Sequence, residues 1–264
     1  MFIYVIMEAR VKLLPISAKD LESSVASRCR ISVGLLLHFG CSFMIVLTIC
    51  TLLKTIIVDY ERSTITHCQV LHIMPSASAV IQFNQSSWKL LTWSHLPLRL
   101  LIAWLYWRYQ QRVLSRHSGL LVHLFVLCFV LNIVSNIVIA EFGDEPGTNW
   151  IHVVPTLSSW ITSCCFMATM FYCLTGSQNT EPHHRLSYLL KRKLLVFHLS
   201  ASVVIWPLYF LHIEFCVPLV YSLFAICEHI LMFTNMAYVW TSNLDFHNLY
   251  ICHSKQNGFH FRII

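Results

Sequence analysis

The sequence predicts an all-α membrane protein, a six-span transmembrane helical bundle with both termini cytosolic. Three observations predict it: charge is scarce, six apolar stretches have spanning length, and basic residues alternate from side to side along the chain. Hydrophobic residues make up 56% of the 264 residues and charged residues only 11%, and the mean hydropathy is +0.63. An ordinary soluble domain is about one-quarter charged, so this chain has too few charges to cover a water-facing surface. At this length one domain is the natural reading, without room for a large soluble module beside a membrane bundle.

A helix needs about 20 mostly apolar residues to cross the hydrocarbon of a bilayer. Stretches of that kind run over Ile31–Ile57, Leu90–Trp107, Leu120–Ala140, Val153–Leu174, Leu194–His212 and Val217–Trp240. The second is the least apolar, because it carries His95, Pro97 and Arg99. Any one stretch fits a buried helix of a soluble protein; six in one short chain exclude that class. The opening Met1–Met7 run is too short for a signal-peptide core, and Arg10 and Lys12 follow it instead of preceding it. The first span is therefore expected to act as a signal-anchor.

Basic residues stay on the cytosolic side. The N-terminal tail holds Arg10, Lys12, Lys19, Arg28 and Arg30; the joint after span two holds Arg108, Arg112 and Arg116. The joint after span four holds Arg185, Lys191, Arg192 and Lys193, and the C-terminal tail holds Lys255 and Arg262. That places 14 of the 18 basic residues on one side, which fits an even number of crossings. The resulting plan is a cytosolic tail over 1–30, a membrane domain over 31–241 with a lumenal loop at 58–88, and a cytosolic tail over 242–264. Residues 141–150 and a tight turn near 212–217 join that loop on the lumenal side. The net charge of +6 lies mainly in the cytosolic joints, so no nucleic-acid partner is expected. The His183–His184 pair in a polar joint is expected to be two solvated imidazoles, not a metal site.

Of eleven cysteines, only Cys68 and Cys216 fall on the expected lumenal side, where an oxidising compartment favours a disulfide between them. The rival reading makes Cys68 a reactive thiol beside His67. Asn84-Gln85-Ser86 is a glycosylation sequon, but it stands so near span two that little modification is expected.

Polar residues at membrane depth are costly, so they face a partner or a cavity. His95 and Arg99 are four apart and share one helix face. Asn132 and Asn136 repeat that spacing, and Glu228 and Asn235 are seven apart. Arg99 with Glu228 is a candidate ion pair. Three readings of this polar interior stand: structural glue between helices, a lumen-facing pocket for a lipid headgroup, or a transport path. In the second, Arg99, His95, Asn132, Asn136 and Asn235 are the headgroup-binding candidates.

The segment from Thr66-His67-Cys68-Gln69-Val70 through Leu71-His72-Ile73-Met74-Pro75-Ser76-Ala77-Ser78-Ala79 resembles the first-loop signature of the post-GPI-attachment-to-proteins factor 2 family. That family shares a superfamily with the damage-regulated autophagy modulators. The similarity continues through His95-Leu96-Pro97-Leu98-Arg99, Ala103-Trp104-Leu105-Tyr106-Trp107 and Leu131-Asn132-Ile133-Val134-Ser135-Asn136. It is strongest in Phe224-Ala225-Ile226-Cys227-Glu228-His229, Thr234-Asn235-Met236-Ala237-Tyr238 and Asp245-Phe246. The resemblance runs from about Ile31 to Asn248, and the order of the blocks makes it specific. Ser135 and Thr148 depart from it, standing where an acidic residue and a lumenal histidine are common in the family.

The resemblance implies a multi-pass protein of the Golgi membrane, or of the endoplasmic reticulum, that serves lipid remodelling of GPI anchors at the reacylation step. Its partners would be GPI-anchored proteins, their lyso-GPI lipid and membrane lipids. The alternatives are a non-enzymatic modulator or trafficking protein of the same superfamily and a small-solute transporter. The residues alone carry no enzyme motif: a His-x4-Asp dyad, a nucleophile elbow, a phosphate loop and metal-ligand spacing are all absent. Acyl transfer still needs only a positioned base and oxyanion donors. His95, His67 and Glu228 are candidate bases, with Arg99 or the asparagine pair as donors. No cofactor is expected beyond an acyl donor that the sequence does not identify.

Overall fold

The computed structural model describes residues 29–64, 66, 68–70, 72–113, 119–142, 149–175, 181–254 and 258–263. The N-terminal tail over 1–28, His67, Arg116 and Thr148 lie outside them. A short strand, β1 (Cys29–Ser32), leads into helix α1 (Val33–Val58). Two short helices follow, α2 (Tyr60–Thr64) and α3 (Ala77–Phe83). The long helices are α4 (Gln85–Val113), α5 (Gly119–Phe142), α6 (Asn149–Thr175), α7 (Pro182–Phe215) and α8 (Val220–Trp240). A last short helix, α9 (Ser242–Asp245), precedes strands β2 (Leu249–Ser254) and β3 (Gly258–Ile263).

Segments Val33–Val58, Gly119–Phe142, Val153–Leu174, Pro182–Phe215 and Val220–Asp245 are long and apolar enough to cross a membrane. Helix α4 has the length, at 29 residues, but carries Lys89, Arg99, Arg108 and Arg112. The distribution of side chains is inverted relative to a soluble protein. Phe39 is 68% exposed, Val203 71% and Tyr172 67%, whereas Thr48, Arg99, Asn132 and Glu228 are buried. Water would penalise that arrangement through its contiguous apolar surface; lipid contacts favour it. The chain is an all-α membrane protein with a small appended sheet.

Helix α1 shows how the pattern arises. Ser32 caps it by accepting from Leu35 N at 3.3 Å. Its buried positions, Val33, Leu37, Cys41, Met44, Thr48, Leu52 and Thr55, recur every three or four residues. Gly34 lets its first turn approach the α9–β2 connection: a Cβ there would stand 2.8 Å from His247 Cα. The centre is aromatic, with Phe129 edge-on to Phe166 at 5.1 Å and Tyr106 edge-on to Phe125 at 5.3 Å.

Two expectations are corrected. The joint over residues 183–193 is not a loop: α7 begins at Pro182 and runs 34 residues, about 50 Å at 1.5 Å per residue. That exceeds a hydrocarbon core of about 30 Å, so a polar extension of the same helix carries the basic cluster. The chain ends are not only tails. Strand β1 pairs antiparallel with β2, Cys29 opposite His253 and Ser32 opposite Tyr250, and β2 pairs antiparallel with β3. Gly258 opens β3 at φ +61, a left-handed conformation that glycine adopts without steric cost. The last turn is built on two non-glycine residues with positive φ, Cys216 (47°) and Leu219 (67°), and a disulfide joins Cys216 to Cys68 across a sequence separation of 148.

Asn84 sits at the C-cap of α3, buried, with Nδ2 donating to Thr55 Oγ1 at 2.7 Å. Its amide is therefore engaged within the protein, a firmer obstacle to glycosylation than nearness to the membrane. The expected outcome is one gel mobility with and without endoglycosidase. A shift lost on Asn84→Gln would contradict the placement.

Candidate functional site

The end of the bundle opposite the sheet is closed by the described residues of the segment 66–78, which are sewn onto α8. Ile73 N donates to Ser222 Oγ at 2.8 Å, Tyr221 OH to Ser76 Oγ at 2.9 Å, and Ala77 N to Glu228 Oε2 at 2.8 Å. Ser78 Oγ adds a bond to Glu228 Oε1 at 3.3 Å. Ser76 also caps α3 by accepting from Ala79 N at 3.0 Å. Glu228 thus sits at the start of α3, where free backbone N–H groups and the helix dipole favour a negative charge. His72 packs against Tyr221 with ring centroids 4.7 Å apart and faces Thr66 Oγ1 at 2.9 Å; burial holds it below the ordinary histidine range. The Cys68–Cys216 bond tethers the same segment to the end of α7.

Beneath this segment lies a cavity of about 150 Å³. His95, Arg99, Asn136, Asn235 and Glu228 line it, together with Ser78, Ser163 and His198. Arg99 donates from Nη2 to Asn132 Oδ1 at 2.7 Å and reaches Asn235 Oδ1 at 3.5 Å. Its guanidinium carbon stands 4.9 Å above the Phe129 ring, and its Nε is buried without a partner. His95 occupies the same helix face one turn earlier and makes no hydrogen bond among the described residues. A guanidinium with an unused donor beside an uncommitted imidazole is the chemistry that holds an oxyanion.

The structure separates the sequence candidates. Arg99 and Glu228 do not pair: the cation is held by asparagines, the carboxylate by the start of α3. Asn132 is fully buried behind Arg99 and does not line the cavity. Its amide donates to the Ser159 carbonyl at 2.8 Å and to Ser163 Oγ at 3.0 Å, so it positions the guanidinium and joins α5 to α6. Asn136 lines the cavity while its amide donates to the Asn132 carbonyl at 2.7 Å, and Asn235 donates to Ser163 Oγ at 2.6 Å. Ser135 donates to Ser158 Oγ at 2.9 Å between the same two helices.

A family profile described as Frag1/DRAM/Sfk1/Cwh43P N-terminal domain matches residues 32–249. The chain belongs to this family. Its relatives include "Post-GPI attachment to proteins factor 2" of Drosophila melanogaster, 30% identical over 209 residues, covering 76% of this chain and 80% of the relative. "Acyltransferase PGAP2" of Xenopus tropicalis is 25% identical over 207 residues, covering 75% and 82%. "Post-GPI attachment to proteins factor 2" of Caenorhabditis elegans is 26% identical over 235 residues, covering 83% and 87%. No solved structure matches. The family region runs from the end of β1 to the start of β2, so it contains the whole cavity and the segment that closes it.

Sequence reasoning missed His198, whose Nδ1 faces Thr234 Oγ1 at 2.8 Å while Nε2 has no partner. It also missed a buried cluster toward the sheet end, in which Lys191 Nζ reaches Asp245 Oδ2 and Ser187 Oγ, both at 2.6 Å. Tyr106 donates to that same carboxylate oxygen, and its hydroxyl lies 3.1 Å from Ser242 Oγ. The signal for the first was a histidine within an apolar run. For Lys191 it was the helical spacing from Ser187, which places both on one face.

Proposed function

We propose that this protein is a membrane factor for lipid remodelling of GPI anchors, acting at the reacylation step in the Golgi membrane. The observation that carries the reading is the Arg99–His95 wall of a polar cavity inside a bundle whose relatives are named for post-GPI attachment and, in one case, as an acyltransferase. A cavity of this size takes a ring-sized moiety, which suits the phosphorylated head and glycerol of a lyso-GPI with its chain left in lipid. Arg99 holds the phosphate. His95 takes the proton of the glycerol hydroxyl as that oxygen attacks the carbonyl of an acyl ester or thioester donor, and returns it to the donor oxygen or sulfur that leaves, while the Arg99 guanidinium stabilises the oxyanion.

The reading includes six crossings with both ends cytosolic. Its support is parity: β1 enters the first span and pairs directly with β2, which follows the last. Chain segments on either side of a bundle meet at one end only after an even number of crossings. Five strongly apolar helices then require α4 as the sixth. The basic extension of α7 and the sheet lie at that same end, as the positive-inside rule asks.

Deletion of the gene is expected to shift the lipid of cell-surface GPI-anchored proteins from saturated diacyl forms toward lyso or unsaturated forms, read by mass spectrometry of released anchors. An unchanged anchor profile in deleted cells, with no paralogue compensating in a double deletion, would remove the reading.

A further inference from the structure

Away from the cavity, at the end of the bundle that carries the sheet, Glu181, His184 and His247 bring three potential ligand atoms within 4.8 Å of one another. His184 Nε2 lies 3.5 Å from Glu181 Oε2, and His247 Nε2 lies 3.7 Å from the same oxygen. Donors on a tetrahedral ion with bonds of about 2.0–2.1 Å stand roughly 3.3 Å apart, so the two separations to Glu181 need to close by only a few tenths of an ångström.

Both imidazoles are already oriented through their other nitrogen. His247 Nδ1 lies 2.8 Å from the Leu244 carbonyl; that acceptor fixes the proton on Nδ1 and leaves the lone pair on Nε2. His184 Nδ1 faces Asp245 Oδ1 at 3.9 Å, and each of those two buried atoms lacks a hydrogen-bond partner. Ligand histidines regularly donate their second nitrogen to a carboxylate or a carbonyl, which orients the ring and raises its basicity. The two histidines here have one of each. Drawing His184 inward onto an ion would satisfy both orphaned atoms at once. Glu181 is exposed and stands just before α7, free to adjust.

We propose that Glu181, His184 and His247 form a binding site for a divalent ion of the zinc class. Two imidazoles and one carboxylate suit zinc, whereas calcium and magnesium prefer shells of oxygen. An ion held there ties the start of α7 to the connection between α9 and β2. It completes, across a third contact, the junction that Lys191 and Asp245 make one layer deeper. A fourth ligand would come from water or from His183, whose ring centroid is 4.2 Å from that of His247. This site is independent of the function proposed for the cavity.

The test uses the full chain in detergent, purified through a tag without histidine, stripped with a chelator and titrated with zinc against a chromophoric competitor. The expected result is one equivalent per chain with roughly micromolar or tighter affinity, undisturbed by a hundredfold excess of calcium or magnesium, and a rise in melting temperature on zinc addition. His184→Ala and His247→Ala should each weaken binding at least tenfold. The exposed, near-isosteric Glu181→Gln should weaken binding while leaving the zinc-free melting temperature at the parental value, which separates loss of a ligand from loss of fold. Failure of the parent to take up a stoichiometric equivalent overturns the site. Parental affinity in the His184→Ala/His247→Ala double variant overturns it equally, since the zinc then resides elsewhere among the fifteen histidines.

Discussion

Asp245→Leu is expected to deplete the folded protein, and Lys191→Met is expected to do the same. The two side chains are 0% and 1% exposed with a 2.6 Å contact between Nζ and Oδ2. Removing one partner of a buried pair leaves an uncompensated charge and typically costs about 3–5 kcal/mol. Total stabilities of folded domains are only about 5–15 kcal/mol, so either single change threatens the fold. The double change Lys191→Met/Asp245→Leu puts apolar groups of similar heavy-atom outline in their place. Such replacements are often neutral or stabilising, and Tyr106 keeps Ser242 as an acceptor. The double variant should therefore recover most of what either single variant loses. Steady-state level and melting in detergent measure this. Parental melting of Lys191→Met beside a destabilised Asp245→Leu, or a double variant worse than both singles, would show that the carboxylate matters through Tyr106 and not through Lys191.

The long helices were legible because hydrocarbon thickness imposes a length on each apolar run, and the expected spans lie within or within a few residues of the helices found. What a span rule reads poorly is where a helix outruns the membrane. The stretch over residues 183–193 is polar enough to look like a joint, yet Pro182 suits a helix start and Ser187, Lys191 and Leu195 recur at a spacing of four, all buried. Lys191 reads as a solvated flanking charge, because nothing local reveals a partner 54 residues away. The sheet was legible in part. Phe259-His260-Phe261-Arg262-Ile263 alternates with period two, and Asn257-Gly258 before it is a hairpin signal. In the cavity, the sequence identified which polar groups are buried and which share a helix face. It did not identify who holds whom. A buried carboxylate is satisfied as well by the backbone N–H of Ala77 and the hydroxyl of Ser78 as by a guanidinium, and backbone donors leave no trace in residue type.

That distinction decides the outcome for the two cavity charges. If Arg99 and Glu228 were each other's partners, removing both would restore what removing one loses. Here Glu228 answers to α3 and Arg99 to Asn132 and Asn235, with no hydrogen-bond partner in common. Glu228→Leu strands the part-buried Ala77 N–H and loosens the segment that closes the cavity; a fully buried donor left unsatisfied costs about 1–3 kcal/mol. Arg99→Leu leaves Asn132 Oδ1 with a remaining donor, Asn136 Nδ2 at 3.3 Å, so its cost to stability belongs at the low end of that range. Groups without shared partners act additively to within about 0.5 kcal/mol, and the double variant Arg99→Leu/Glu228→Leu should be the least stable of the three. Function divides them differently. Arg99→Leu, expressed near the parental level in cells lacking the protein, should fail to restore saturated anchors, and His95→Ala should match it. Glu228→Gln keeps an acceptor for Ala77 N and should restore anchors at close to the parental extent. Recovery of protein level in the Arg99→Leu/Glu228→Leu double variant would reinstate the ion pair. Full rescue by Arg99→Leu at parental level would instead take the phosphate-binding role away from Arg99 and reduce the polar interior to glue between helices.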